Sequence, residues 1–226
     1  MKVTTHVGTC YNCGKATNLT ILNKQLSATN VLTLNDYNQF KALSVNKCTN
    51  CNLVGEDISC YSNQKVIDIV NSQKYLNILK NDYDNNFAVY HPSAKSLQLN
   101  YFDAYAYLCE VLNNYKKECI CLFNCAQLKN ILIGKYAELF YTSPDKNEIY
   151  KSFTQQLSQS RKNDLKKVVE IATQIDDGYF KTLLSESLIL LNQTSQAKQI
   201  LQKLCLDQNL NDYFKNLIKS VEDTLW

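Results

Sequence analysis

Glycine, histidine and arginine are scarce in this chain, and their scarcity argues against several classes of enzyme. There are five glycines in 226 residues, and no glycine-rich loop of the kind that cradles phosphate or a dinucleotide. The two histidines, His6 and His91, are far apart and belong to no His-Glu-x-x-His motif. Arg161 is the single arginine. Because hydrolase, kinase and dehydrogenase motifs are all absent, we expect a protein that is not an enzyme.

Long apolar runs are missing as well. No stretch reaches the roughly 20 residues that a membrane-spanning helix needs, and the first residues contain no hydrophobic core of a signal peptide. The net charge of +3 and the 45% of hydrophobic residues are typical of a globular chain. Ten cysteines without an export signal suit a reducing compartment better than a set of disulfides. We therefore expect a cytoplasmic protein that contacts no membrane.

Four of the ten cysteines form two Cys-x-x-Cys pairs, Cys10/Cys13 and Cys48/Cys51. Gly14 follows the first pair and Asn52 the second, and both residue types adopt a left-handed backbone easily. That conformation lets a metal knuckle fold back and point its N–H groups at sulfur. Two facing knuckles present four thiolates in a tetrahedron, the geometry of structural Zn²⁺. We predict one structural zinc ion, bound by the four cysteines of these pairs.

Four thiolates in two knuckles also hold iron, as in rubredoxin-like electron carriers. The amino-terminal region contains Tyr11, Tyr37 and Phe40, but it lacks the packed aromatic core expected around such a redox centre. Zinc is therefore favoured, and an iron electron carrier stays open as a third interpretation. His6 and Cys60 are conceivable alternative ligands, although His6 is better explained as an ordinary strand residue.

The beginning of the chain favours strands and the remainder favours helices, which indicates an α+β protein. Residues 1–60 contain short β-leaning runs between polar turns, at 2–7, 18–22, 30–34 and 43–47. So few apolar residues cannot form a stable core alone, so a bound metal should supply much of the folding free energy. We predict a zinc ribbon at 1–60, a connecting helix and linker at 61–96, and an all-α domain at 97–226.

Apolar residues recur with a helical period beyond residue 62. One amphipathic helix is predicted over residues 66–79, with Ser62 as its cap. Ser143-Pro144-Asp145 is a strong helix start. Short connections make antiparallel helical hairpins the expected packing. The remaining helices are predicted at 97–113, 117–141, 146–159, 164–176, 179–192, 195–206 and 210–224.

One segment, residues 179–206, fits the pattern of a tetratricopeptide repeat. Leu184 lies at an apolar position of the first helix, Asn192 at the turn, and Ala197 at the small-residue position of the second helix. A small residue is needed there because two helix axes approach closely. A looser match includes Cys119 as its small residue. A generic helical bundle is the alternative to tetratricopeptide-like packing.

The two cysteine pairs, separated by 34 residues and followed by these helical stretches, resemble an uncharacterised bacterial family. Its members join an N-terminal zinc ribbon to C-terminal tetratricopeptide-like helices. The stretches at 104–126 and 183–204 are similar to the two helical signatures of that family. The resemblance implies this architecture, and it implies no particular chemistry.

Stacked helical hairpins create extended concave surfaces. We therefore expect an adaptor or scaffold for a protein or peptide partner, with Thr182, Glu186 and Ile189 on the groove-facing side of the first repeat helix. Nucleic-acid binding through the ribbon is the alternative function. Charge disfavours it, because residues 1–60 hold five lysines against three acidic residues, and Zn²⁺ with four thiolates adds −2.

Two further groups of residues, one of cysteines and one of lysines, are predicted to have no role in binding or catalysis. Four of the cysteines within the helical pattern lie close together in sequence: Cys109, Cys119, Cys121 and Cys125. Cysteine commonly packs as a small hydrophobic residue, so core packing is favoured over a second metal site or a redox site. The lysine pairs at 116–117 and 166–167 are predicted to lie on solvated helix faces.

Overall fold

Strands come first and helices follow, in the order that the sequence predicts. The computed structural model describes residues 2–23, 45–56, 58, 64–80, 99–142 and 147–205. The strands are β1 (Lys2–Thr9), β2 (Ala16–Asn23), β3 (Asn46–Lys47) and β4 (Val54–Gly55). The helices are α1 (Gln64–Val70), α2 (Gln73–Lys80), α3 (Leu99–Val111), α4 (Tyr115–Thr142), α5 (Asn147–Thr173), α6 (Gly178–Leu190) and α7 (Thr194–Cys205). The described residues thus form an α+β protein, as predicted.

Two small antiparallel sheets make up the strand region. β1 pairs with β2 up to Thr9 opposite Ala16, so the first cysteine pair lies in the turn between these strands. β3 pairs with β4, with Lys47 opposite Val54, so the second cysteine pair lies in the turn of the second hairpin. Each cysteine pair therefore forms the tip of a β-hairpin, and strand pairing sets the position of its sulfurs.

A continuous apolar core joins the sheets to the helices. Val54 and Ile58 are buried in the same cluster as Tyr75 of α2 and Phe102 of α3. α3 packs against α1, α2 and β4. Within the segment predicted as a connecting helix and linker, residues 64–80 therefore form two helices that pack between the strand region and the following helices.

The helix predicted over residues 66–79 is wrong in one respect, because the structure divides it into α1 and α2. Ser72 separates them, and its Oγ accepts the N–H of Tyr75 at 3.3 Å. A hydroxyl that caps a free N–H begins a new helix at the point where the first one ends. The apolar period continues across the break, so the periodicity did not reveal it.

The two helices predicted at 146–159 and 164–176 are also wrong, because they are one helix, α5. The residues between them include neither glycine nor proline, so nothing interrupts the helical hydrogen bonds. The amide of Gln159 donates to Asn163 Oδ1, one turn further along, at 3.0 Å. The polar residues at 160–163 resemble a connection in sequence, although they continue the helix.

The helical hairpins α3–α4 and α6–α7 turn in the same way. Asn113 and Asn192 take left-handed conformations at these turns, with φ of 57° and 62°. In both hairpins the next residue donates its N–H to a carbonyl five residues back, on Cys109 and on Leu188, at 2.8 Å. The two stretches that the sequence pattern singled out as repeats therefore share one turn geometry.

The shared turn shows that the residue of the α3–α4 hairpin equivalent to Ala197 is not Cys119, as the sequence pattern predicted. In each hairpin the residue directly after the turn asparagine accepts a hydrogen bond at its carbonyl from the residue four positions later. The N–H of Ala197 donates to Gln193 at 3.2 Å, and that of Glu118 donates to Asn114 at 2.9 Å. Glu118 is thus the counterpart of Ala197, and Cys119 comes one position later. Cys119 is still fully buried, with its Sγ 4.0 Å from the carbonyl oxygen of Val168 in α5.

Some predicted features lie outside the described residues and stay predictions. They are the strand at 30–34, the helix at 210–224, the Ser62 cap, the helix start at 143–145, Cys60 and His91. Of the helices that the structure does describe, none has the length and apolar composition that crossing a membrane requires.

Candidate metal centre

Four cysteine sulfurs meet at the tips of the two β-hairpins. The Sγ atoms of Cys10 and Cys51 are 3.6 Å apart, and those of Cys13 and Cys48 are 3.7 Å apart. All four sulfurs lie within 4.8 Å of one another. His6 lies in β1 and does not belong to this cluster. The structure therefore brings the four predicted ligands together, close enough to hold a metal ion.

The two knuckles repeat the same backbone hydrogen bonds. In each, the N–H of the first cysteine donates to the carbonyl five residues later, at 2.9 Å for Cys10 and 2.8 Å for Cys48. The residue four positions later donates back to the carbonyl of that cysteine, from Gly14 at 2.8 Å and from Asn52 at 3.1 Å. Gly14 and Asn52 have φ of 67° and 61°, as predicted.

Backbone N–H groups also approach the sulfurs. The N–H of Asn50 donates to Cys48 Sγ at 3.4 Å. Burial opposes ionisation of Cys48, but N–H groups of Cys51 and Asn50 outweigh it and lower the pKa of this thiol to about 7. Burial dominates at Cys10 and raises its pKa to about 12, against the N–H of Cys13. Cys48 therefore ionises more easily than Cys10, the first cysteine of the other knuckle.

Two of the six sulfur–sulfur distances match those around a tetrahedral ion. With zinc–sulfur bonds of about 2.3 Å, the edge of a tetrahedron of four sulfurs is about 3.8 Å long. The pairs at 3.6 and 3.7 Å are close to that edge. A donor set made only of thiolates suits zinc and iron rather than magnesium or calcium. Four thiolates would close the coordination shell and leave no position for a reactive water.

Two helical residues hold the second knuckle in place. The hydroxyl of Tyr75 in α2 donates to the carbonyl of Asn52 at 3.0 Å and accepts the N–H of Val54 at 3.1 Å. Lys117 of α4 forms an ion pair with Glu56, directly after β4. Neither contact was predicted, because the partners are far apart in sequence and no local pattern links them.

The prediction that both lysine pairs lie on solvated helix faces is wrong for one member of each. In the second pair Lys166 is exposed, but Lys167 lies 2.9 Å from Glu110 of α3 and 2.8 Å from Glu118 of α4. In the first pair Lys117 is the residue that contacts the strand region. One lysine of each pair therefore joins separate elements of the fold.

A buried ion cluster in the helices was not predicted from the sequence. The side chain of Lys129 in α4 is 1% exposed, and its Nζ lies 3.1 Å from Asp103 of α3 and 2.6 Å from Asp164 of α5. Burial by itself would lower the pKa of Lys129, but the two carboxylates outweigh it and raise that pKa. The signal that could have indicated the cluster is a lysine inside the apolar stripe of Leu128 and Leu132.

Four cysteines of α3 and α4 are buried free thiols, as the core-packing interpretation predicts: Cys109, Cys119, Cys121 and Cys125. Burial raises the pKa of Cys119 to about 12 and that of Cys125 well above its ordinary value. A thiol that stays protonated is a poor nucleophile and a poor metal ligand. Cys119 and Cys125 therefore pack as small apolar side chains in the core.

The three residues predicted for the groove lie on α6. Thr182 is 2% exposed, and its hydroxyl donates to the carbonyl of Gly178 within the helix at 2.9 Å. Glu186 and Ile189 are half-buried, and Ile189 packs against leucines of α7. Burial raises the pKa of Glu186 to about 7. Of the three residues predicted for the groove, Glu186 and Ile189 therefore have side chains that are partly accessible to solvent.

Comparisons with models of protein families, with curated proteins and with solved structures found no match to this chain. The family resemblance seen in the sequence is therefore supported only in its coarser features. These are four clustered cysteines in a strand region near the start of the chain and a series of helices after it.

Proposed function

We propose that this protein is a non-enzymatic cytoplasmic adaptor, in which a zinc ion stabilises the strand region and a helical array binds a protein or peptide partner. The observation that carries the zinc is the duplicated knuckle, whose two turns place four sulfurs within 4.8 Å. When bound, the ion would cross-link two hairpins that contain few apolar residues. Its closed shell makes the role structural.

The arrangement of the helices supports the adaptor role. From α3 to α7, each helix packs against the next one along the chain, and two of the hairpins share one turn geometry. Tetratricopeptide-like arrays of this kind offer extended surfaces to peptides. We assign the partner contact to the face of α6 that holds Glu186 and Ile189, with Thr182 buried one turn earlier along the helix.

Metal analysis of the purified, reduced protein tests the zinc. We expect one zinc ion per chain and a colourless protein. A red protein that contains iron would favour the electron carrier instead. Protein that holds no transition metal after purification under reducing conditions would contradict the proposed metal site.

An affinity pull-down from cells that express the protein, with and without nuclease, tests the adaptor role. We expect protein partners that survive nuclease treatment and are lost with Glu186→Lys. Glu170→Lys is the matched control, because Glu170 is exposed on α5 and its reversal should leave the partners bound. Partners that disappear with nuclease, together with steeply salt-dependent binding to nucleic acid, would favour the nucleic-acid function.

A further inference from the structure

A side chain from the helices reaches into the turn that carries two of the four sulfurs. The hydroxyl of Tyr75 donates to the carbonyl of Asn52, the residue after Cys51, at 3.0 Å. It also accepts the N–H of Val54 at 3.1 Å, at the start of the strand that pairs with β3 and so positions Cys48. One hydroxyl therefore holds both the end of the knuckle and the strand that follows it.

The bond from the N–H of Val54 to Tyr75 is shielded from water, whereas Asn52 is half-buried. Tyr75, Leu53 and Val54 are fully buried. A buried backbone carbonyl or N–H that loses its partner is strongly unfavourable, because no water replaces the bond. The buried bond from Val54 to Tyr75 therefore holds the strand that follows the knuckle more firmly than the same bond would at the surface, and the bond to Asn52 adds a second, partly buried contact.

Helix α2, which carries Tyr75, is itself anchored at both ends. Ser72 caps its start through the N–H of Tyr75 at 3.3 Å. Near its end, Nδ2 of Asn100 in α3 donates to the carbonyl of Leu79 at 2.8 Å. Tyr75 therefore approaches the knuckle from a helix that is bonded to α3.

We infer that Tyr75 is a positioning residue of the metal site, and that metal binding is coupled through it to the packing of α2. Both statements rest on the four-cysteine metal site proposed above. Hydrogen bonds outside the ligands orient the ligands and raise the affinity for the metal. The coupling is reciprocal by thermodynamic linkage. The free energy by which the Tyr75 bonds strengthen metal binding equals the free energy by which the bound metal stabilises the packing of α2. The strand region is then not an independent module, and metal loss loosens α2.

Zinc affinity of the full-length protein, measured by competition with a chromophoric chelator, tests the positioning role. Tyr75→Phe keeps the ring and removes both hydrogen bonds, so we expect the affinity to fall by about 10- to 100-fold. Tyr115→Phe is the matched control, because its hydroxyl donates to Asn113 Oδ1 at the surface, at 3.2 Å. It should bind zinc as the wild type does. Wild-type affinity in Tyr75→Phe would overturn the positioning role.

Hydrogen exchange of the wild type, with and without zinc, tests the coupling even if Tyr75→Phe fails to fold. The amides of α2 should lose protection when zinc is removed, whereas those of α6 should keep it. In Tyr75→Phe the zinc-dependent change in α2 should shrink. A wild type that binds zinc but shows no response in α2 overturns this coupling alone. A wild type that binds no metal overturns the proposed metal site as well.

Discussion

Gly14 and Asn52 take the same left-handed backbone conformation, with φ of 67° and 61°, each directly after the second cysteine of its pair. Each returns its N–H to the carbonyl of the first cysteine, which closes the knuckle. A side chain resists this conformation because Cβ comes too close to the following carbonyl oxygen. Glycine has no Cβ and asparagine tolerates the position, so these two residue types make the turn possible.

Gly14→Ala should destabilise the protein by about 1–2 kcal/mol, because alanine resists a positive φ. Space is not the cause, since no atom lies within 4 Å of a Cβ added at Gly14. Gly134→Ala is the matched control: it also meets no atom within 4 Å, but it lies in α4. There the same change should stabilise by roughly 0.5–1 kcal/mol. Urea unfolding measures both, and effects of equal sign would contradict the knuckle geometry.

Cys48→Ser should remove the bound zinc and unfold the strand region, because three thiolates do not complete the shell. Hydrogen exchange should show loss of protection in β1 to β4 and in α2, while α4 to α7 keep most of theirs and the helical circular dichroism changes little. Cys109→Ala, which changes a buried cysteine outside the cluster, is the control and should retain one zinc ion. Full zinc content in Cys48→Ser would be inconsistent with the ligand set.

Lys129→Met should destabilise the protein by up to about 3–5 kcal/mol, because it leaves Asp103 and Asp164, both partly buried, without their cation. Lys166→Met replaces an exposed lysine and should change the unfolding free energy little. Adding Asp103→Asn to Lys129→Met should recover part of the loss. Chemical denaturation measures the unfolding free energy of the three variants. A loss no larger than that of Lys166→Met would show that the ion cluster contributes nothing to stability.

Stability should depend on pH through Glu186. Burial raises its pKa from 4.5 to about 7 in the folded protein, so the contribution of this group is fully present below pH 4.5 and is lost as pH rises through 7. The stability of Glu186→Gln relative to the wild type should therefore increase from pH 5 to pH 8. The increase in unfolding free energy should be at most about 3 kcal/mol, and less where water screens the carboxylate. Urea midpoints at the two pH values measure this gain. Glu170→Gln, an exposed site, is the control, and a gain equal to its own would contradict the prediction.

Ala197→Leu should destabilise the protein by roughly 1–3 kcal/mol, because Ala197 of α7 is fully buried and a larger side chain would overpack the contact between α6 and α7. Gln199→Leu adds a leucine at an exposed position of the same helix and should be nearly neutral. Thermal unfolding of the two variants separates overpacking from a change in helix propensity. A neutral Ala197→Leu would argue against a close helix crossing at this position.

Features that depend on neighbours in the chain were predictable. Residue type and spacing predicted the four-cysteine cluster, the left-handed residues after each pair, and the hairpin that turns at Asn192. Helix boundaries were less predictable where the local signal was weak. The apolar period runs through Ser72, where α1 gives way to α2, and a polar stretch around Asn163 resembles a loop although it continues α5.

The sequence by itself determined the four-cysteine cluster, because two Cys-x-x-Cys turns carry their own geometry in the residues that form them. Only the tertiary structure decided what those turns rest on. Tyr75 meets Asn52 across 23 residues of chain, and Lys129 meets Asp164 across 35. A hydroxyl or an ammonium group finds such a partner only after helix packing has removed the water that would otherwise bind it. No local pattern of residues records which groups will be enclosed together.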